Sequence, residues 1–94
     1  MPRVYVETEI IIPNRLGLHA RPASRFASLA GEFESDVWLI KDKKAVDGKS
    51  ILEVLTLACP KGSRLTVRAM GTDAPKALSA LKALAEDGFG EQNE

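Results

Sequence analysis

A predicted β-hairpin in the middle of the chain is the feature that most limits the possible folds. Residues 36–41 alternate in hydrophobicity as a half-buried strand does, and the polar turn Asp42-Lys43-Lys44 leads into a short return strand over 44–47. No crossover connection fits between two strands this close in sequence, so they must pair antiparallel. The hairpin therefore argues against an all-parallel sheet.

Strand and helix patterns alternate along the rest of the chain. Alternation of apolar and polar residues predicts strands over Val4–Ile12 and 64–69. Apolar residues at helical spacing predict helices over 20–30 and 50–57. A third helix is predicted between an N-cap at Thr72 or Asp73 and Gly88. The order β-α-β-β-α-β-α predicts an α+β open-faced sandwich, with the helices on one face of a mixed or antiparallel sheet. We expect a single domain over residues 1–94, with 1–3 and 90–94 frayed.

Composition excludes several classes of function. The 94 residues include 13 Lys+Arg and 13 Asp+Glu, and this balance argues against a nucleic-acid binder and against a polybasic membrane anchor. Cys59 is the only cysteine and His19 the only histidine, so neither an internal disulfide nor a metal centre is expected. Without a long apolar run or a signal-peptide pattern, we expect a cytoplasmic, reduced environment.

The segment Gly17-Leu18-His19-Ala20-Arg21-Pro22-Ala23 carries the most informative chemistry. His19 falls at or beside the N-cap of the first helix, and Arg21 follows in the first turn. Two potentially cationic residues conflict with the positive end of the helix dipole, and a visiting phosphate would remove that conflict. A neutral imidazole there could carry a phosphoryl group covalently. From these residues alone, a solvated histidine or a poor cap is the simpler interpretation.

Two residues around His19 would support such a site. Gly17 would let the loop pass close beneath the ring, and Pro22 lacks an N–H that the first helical turn would leave unpaired. Each of them is also a residue type that commonly occurs in the turn before a helix or in its first turn, without any role in a binding site.

A second motif opens the second helix at Ser50. Ser50 and Glu53 fit a capping box, in which each side chain binds the backbone N–H of the other residue. Ser50 could also be phosphorylated, although Glu53 would repel the added charge, so the residues favour a cap. Core packing is expected for Ile51 and Leu55, whereas Leu52 is the best candidate for an exposed contact with another protein.

These two motifs closely resemble those of the HPr family, the histidine-containing phosphocarriers of the bacterial phosphoenolpyruvate-dependent phosphotransferase system. The resemblance covers nearly the whole chain. It implies a four-stranded antiparallel sheet with three helices on one face. It also implies that Nδ1 of His19 accepts phosphate from phosphorylated enzyme I, with Arg21 stabilising the group, before transfer to a IIA-type domain.

The resemblance extends to regulation and docking. Ser50 matches the serine that HPr kinase/phosphorylase modifies in organisms that have this enzyme, and its phosphorylation would switch contacts with a transcriptional regulator or an enzyme. The family's apolar docking surface corresponds to Ala20, Ile51, Leu52 and Leu55. The lead-in Asn14-Arg15-Leu16-Gly17 and the ending 87–91 are somewhat like the nitrogen-type branch.

Two functional hypotheses follow from the sequence. The first is a phosphocarrier for sugar uptake that forms a phosphohistidine and has no independent turnover. The alternative is a mainly regulatory binding module, either of the nitrogen-type branch or controlled through Ser50. Under both hypotheses we expect a monomer without a cofactor, a metal, a nucleic-acid partner or a membrane partner.

Overall fold

The structure, a computed structural model, describes residues 4–91, and its elements follow the predicted order. The four strands are β1 (Val6–Ile11), β2 (Asp36–Lys41), β3 (Lys44–Asp47) and β4 (Arg64–Met70). The helices are α1 (Ala20–Gly31), α2 (Ile51–Leu55) and α3 (Ala74–Glu86), followed by a short 3-10 helix, Gly88–Gly90.

All four strands join one antiparallel sheet in the order β1-β4-β2-β3. The predicted hairpin is present, with Leu39 opposite Val46. The central strand β4 pairs with β1 on one side, where Thr8 lies opposite Val67, and with β2 on the other. The three helices complete an α+β open-faced sandwich, which confirms the predicted fold class.

The hydrophobic core lies between the sheet and the helices. Among its most completely buried large residues are Phe26, Leu39, Leu65, Leu81 and Phe89, each at most 1% exposed. They come from α1, β2, β4, α3 and the 3-10 helix, so every layer depends on the others. Truncating a core phenylalanine such as Phe26 to alanine costs about 3–5 kcal/mol of stability. On the open face of the sheet, Glu7 pairs with Arg68 at 2.6 Å.

Some element boundaries differ from the sequence prediction. Strand β1 is shorter than Val4–Ile12, although Ile12 N–H still donates to Ser63 O at 3.0 Å. Helix α2 ends at Leu55, and the chain soon reverses through Ala58, whose φ is 52°. Fraying was expected from residue 90 onward, but Gly90 belongs to the 3-10 helix and the Glu91 side chain is only 4% exposed. Residues 1–3 and 92–94 lie outside the described residues.

Candidate functional site

His19 is the N-cap residue of α1. Its backbone is extended, with φ −80° and ψ −169°, and its carbonyl accepts the first helical hydrogen bond from Ala23 N–H at 2.9 Å. The side chain is 32% exposed. The ring therefore reaches solvent at the positive end of the helix, where the N–H groups of Ala20 and Arg21 precede the first intrahelical donor.

The loop before His19 is held against the segment after α2. Leu18 N–H donates to Cys59 O at 2.8 Å, and Gly17 N–H donates to Asn14 O at 2.9 Å. Gly17 has φ +70°, and a Cβ atom there would lie 2.2 Å from Cys59 O. Only glycine fits both the conformation and the space. Gly17 therefore allows the loop to pack against Cys59, and this packing fixes the position of His19 at the start of α1.

A carboxylate from the other end of the chain faces the imidazole. Glu91 Oε1 lies 3.3 Å from His19 Nε2 and accepts a hydrogen bond from Asn14 Nδ2 at 2.7 Å. The same Asn14 amide also donates to Gly88 O at 2.8 Å. Asn14 is 1% exposed, and its Oδ1 has no hydrogen-bond partner among residues 4–91. A nearly buried acid thus sits beside the ring.

The segment that carries Glu91 is fixed by the fold. Arg25 Nη1 donates to Phe89 O at 2.6 Å, and the Phe89 side chain is fully buried. Phe89 has φ 58° and ψ 31°, a left-handed conformation that is costly for a bulky residue and persists only under strong packing. Packing of Phe89 therefore decides where the Glu91 carboxylate lies.

Arg21 is exposed and borders an open depression at the start of α1. His19, Ala20, Ser24, Arg25 and Ile51 line the same depression. The floor is thus partly apolar, while the rim carries two guanidinium groups and an imidazole. Such a rim suits a phosphoryl group, because an arginine can bind phosphate oxygens through paired charge-assisted hydrogen bonds. The structure brings Arg21, Ala20 and Ile51 together with His19, and Gly17 and Pro22 support that arrangement from the adjoining backbone.

The predicted capping box at Ser50 is only half formed. Ser50 Oγ accepts from Glu53 N–H at 3.3 Å, as predicted. The Glu53 carboxylate does not return the bond to Ser50 and instead accepts from Asp47 N–H at 3.1 Å. Ser50 N–H donates to Asp47 O at 3.1 Å, because the chain turns sharply between β3 and α2. The reciprocal bond predicted for Glu53 is therefore wrong.

The apolar side chains of α2 divide between core and solvent. Leu52 is 75% exposed and Leu55 is 37% exposed, while Ile51 is half-buried against the core at the edge of the depression. The core packing expected for Leu55 is thus incomplete, because α2 ends at this residue and leaves its side chain partly in solvent. Together Ala20, Ile51, Leu52 and Leu55 form what we call the α1–α2 surface.

Cys59 and the acidic side chains of the described residues were the other candidates for a reactive or metal-binding site. Burial raises the pKa of the Cys59 thiol, and the nearby Lys41 charge only partly opposes this effect. Within residues 4–91, no cluster of three histidine, cysteine, aspartate or glutamate side chains could hold a metal ion. None of the helices described is long and apolar enough to cross a membrane.

The sequence and the fold of this chain match those of a known protein family. The model of the PTS-HPr family, described as the PTS HPr component phosphorylation site, matches residues 6–87. This chain belongs to the HPr family. Phosphocarrier protein HPr of Neisseria meningitidis serogroup A is 40% identical over 86 residues, which cover 92% of this chain and 97% of the relative.

The family includes relatives of more than one branch and close structural matches. Phosphocarrier protein NPr of Shewanella violacea is 37% identical, over 92% of this chain and 94% of the relative. The crystal structure titled HPr-C-His from Thermoanaerobacter tengcongensis is 41% identical and has a TM-score of 0.88, over 93% of this chain and 98% of that one. The chain is therefore a phosphocarrier of the phosphotransferase type.

Sequence reasoning missed Glu91, which contacts the imidazole, and Asn14, which holds that acid. Asn14 looked like part of a strand-ending turn, and Glu91 looked like part of a polar tail. Glu91 contacts Asn14 across 77 positions and His19 across 72 positions, so no local spacing could reveal these contacts. One available signal was Phe89, since a large aromatic residue between two glycines in a polar ending needs a buried site.

Proposed function

We propose that His19 accepts a phosphoryl group from phosphorylated enzyme I and passes it to a IIA-type domain in the phosphotransferase system for sugar uptake. The observation that carries the proposal is the partly exposed imidazole at the N-cap of α1, beside Arg21 and the α1–α2 surface. Membership of the HPr family supports the same role. The whole chain would act as one domain, since all four strands join one sheet.

The transfer step needs only a nucleophile and fixed positive charge. The lone pair on His19 Nδ1 attacks phosphorus, the bond between phosphorus and the donor breaks, and its electron pair stays on the donor. The contact between Nε2 and Glu91 supports Nδ1 as the attacking atom, because an ionised carboxylate accepts hydrogen bonds only and so faces the N–H of the ring. Arg21 and the first N–H groups of α1 stabilise the transferred oxygens. The protein is itself the covalent intermediate and has no turnover of its own.

The α1–α2 surface provides a docking site for both partners. Leu52 and Leu55 expose apolar area on α2, and Ile51 connects this area to the depression that contains His19. An apolar patch surrounding a reactive group allows a partner to exclude water from the transfer step. Because donor and acceptor must use the same surface in turn, we propose a monomer, although an HPr of Thermoanaerobacter tengcongensis and Crh of Bacillus subtilis are described as dimers.

Phosphoryl transfer from radioactive phosphoenolpyruvate and enzyme I tests the proposal. The label should appear on His19, should be acid-labile and base-stable, and should pass onward when a IIA-type domain is added. Ser50→Ala serves as the control and should take up label like the parent. Acid-labile label on a His19→Ala variant would refute the assignment.

A mainly regulatory role is the second candidate. It is supported by the NPr relative and by the position of Ser50, whose Oγ lies at the start of α2 near the α1–α2 surface. A phosphate on Ser50 would add about two negative charges beside Leu52 and Glu53. Incubation with ATP and HPr kinase/phosphorylase should then give acid-stable label that Ser50→Ala lacks. No label under these conditions would leave Ser50 as a helix cap only.

A further inference from the structure

The backbone around Cys59 is held from two directions, and the proposed function leaves one of these contacts without a role. On one side, Cys59 O accepts the Leu18 N–H at 2.8 Å, directly before His19. On the other side, the preceding carbonyl, Ala58 O, accepts a hydrogen bond from Lys41 Nζ at 2.8 Å. Lys41 is the last residue of β2, so its contact joins the sheet to the segment that holds the loop before His19.

Ala58 has a backbone conformation that needs support. Its φ is 52°, in the left-handed region, where the Cβ atom crowds the backbone and where glycine is the usual residue after a helix. The residue is exposed, so burial of its side chain does not favour this conformation. The Lys41 ammonium binds the carbonyl of Ala58, and a hydrogen bond from a charged donor is stronger than one between neutral groups. Lys41 therefore stabilises the turn that follows α2.

Two other lysines of the same hairpin show what distinguishes Lys41. Lys44 lies opposite Lys41 in the register of β2 and β3, and its Nζ reaches Thr56 O at 3.5 Å, which is the outer limit of a hydrogen bond. Lys43 is exposed in the turn between the two strands. These three residues carry the same charge, but within the described structure only Lys41 makes a short contact with residues 56–60.

We propose that Lys41 is a positioning residue for phosphoryl transfer at His19. The inference rests on the proposed function, because it concerns the reactivity of that imidazole. Lys41 holds the Ala58 carbonyl in place. This contact keeps the next carbonyl, that of Cys59, directed at the Leu18 N–H. Without it, the strained turn relaxes and the loop before His19 loses a fixed acceptor. Nδ1 is then misaligned for attack on phosphorus, and small misplacements of a reacting atom slow a reaction strongly.

Three substitutions separate positioning from charge. Lys41→Met keeps most of the length of the side chain and removes the ammonium group. Lys43→Met is the matched control, because it removes the same charge from an exposed position of the same hairpin. Ala58→Gly provides the rescue, since glycine adopts a positive φ without the cost that alanine bears. Lys41→Met should therefore be harmful by itself and nearly harmless in combination with Ala58→Gly.

Two measurements follow the effect without a protein partner, so a change in docking cannot produce it. Potassium phosphoramidate phosphorylates the histidine directly, and phosphorus NMR gives the rate at His19. Amide hydrogen exchange of Leu18 reports how firmly its N–H is held by Cys59 O. We expect Lys41→Met to speed the exchange of Leu18 about tenfold and to slow phosphorylation about threefold to tenfold, while Lys43→Met matches the parent.

The rescue distinguishes positioning from a general loss of stability. A purely structural role would lower the temperature of unfolding but leave the phosphorylation rate of the folded protein unchanged. Positioning predicts that Lys41→Met combined with Ala58→Gly reacts as fast as Ala58→Gly alone, to within about twofold. An unchanged rate in Lys41→Met, an equal loss in Lys43→Met or a failure of the rescue would overturn the role of Lys41 alone. A parent that takes up no phosphate on His19 would overturn the proposed function as well.

Discussion

The Asp73 carboxylate accepts the hydroxyl hydrogen of Ser35 at 2.5 Å and the Ser35 backbone N–H at 2.9 Å. It also accepts Glu34 N–H at 2.9 Å. Asp73 occupies the predicted N-cap position of α3, yet in the described structure its side chain makes no cap to that helix. The aspartate instead ties the connection between α1 and β2 to the start of α3, and Gly71 leaves the space that this approach needs.

The hydrogen bonds of the Asp73 carboxylate should make the stability of the folded protein depend on pH in the acidic range. The Ser35 hydroxyl, followed by the Glu34 N–H, lowers the pKa of Asp73 from 3.8 to about 2. The folded protein therefore keeps this group ionised where the unfolded chain protonates it, so its contribution to stability is complete above about pH 4 and is lost as pH falls toward 2. Asp73→Asn should be less stable than the parent at pH 6, and its stability should fall less between pH 4 and 2.

Urea unfolding at several pH values checks this expectation. The exposed Asp36→Asn of β2 is the matched control and should follow the parent. Equal losses of stability in Asp73→Asn and the parent between pH 4 and 2 would show that the acid dependence comes from other groups.

Glycine at position 17 should be required for both stability and phosphoryl acceptance. Gly17→Ala would place Cβ 2.2 Å from Cys59 O while keeping a positive φ. We expect a loss of about 2–4 kcal/mol, from the unfavourable conformation and from displacement of the loop that leads to His19. Gly62→Ala is an informative control, because Gly62 also has a positive φ, +88°, but has open space around its Cβ position.

Comparison of the two glycine variants isolates the effect of the close contact. Gly62→Ala should lose only about 1 kcal/mol and should accept phosphate normally. Thermal unfolding and the rate of labelling by enzyme I measure the two effects. If the two variants lost equal stability, the contact with Cys59 would have no part in positioning His19.

Reversing the charge of Arg21 should slow phosphoryl transfer without unfolding the protein. Arg21 is exposed at the start of α1, so Arg21→Glu should retain the parent's stability to within about 0.5 kcal/mol. Loss of a charge-assisted contact to phosphate should lower the rate of acceptance by about tenfold to a hundredfold. Arg64→Glu, on the open face of the sheet, controls for the change in net charge. Similar rates for Arg21→Glu and Arg64→Glu would remove Arg21 from the mechanism.

Leu52 should contribute to recognition rather than to folding. Its side chain is 75% exposed, so Leu52→Glu should leave stability almost unchanged while weakening the approach of enzyme I to the α1–α2 surface. We expect KM for the carrier to rise about tenfold, since removal of a central apolar contact costs about 1–2 kcal/mol of binding. Ile11→Glu is the control, because Ile11 is 51% exposed on the open face of the sheet. An equal rise in KM for both variants would point to net charge rather than to docking.

The elements whose signals are local could be predicted from the sequence. The 36–47 hairpin, the helix that starts after His19 and the N-cap at Ser50 depend on periodicity and on residues within a few positions. Leu55 was harder to place, because its exposure depends on where α2 ends and not on apolar spacing. The acid beside His19 could not be found this way, since Phe89 indicates a buried site near the chain ending but not the left-handed conformation that directs residue 91 back toward the start of α1.

Because His19 and Glu91 are far apart in the sequence, the site around the histidine stays incomplete while the chain is being synthesised. The two residues are 72 positions apart, yet their side chains meet in the folded molecule. At a translation speed of about 5–20 residues per second, the ribosome adds the histidine roughly 4 to 14 s before it adds the acid. Newly made chains should therefore pass through a stage in which the nucleophile exists without the acid that lies beside it in the folded protein.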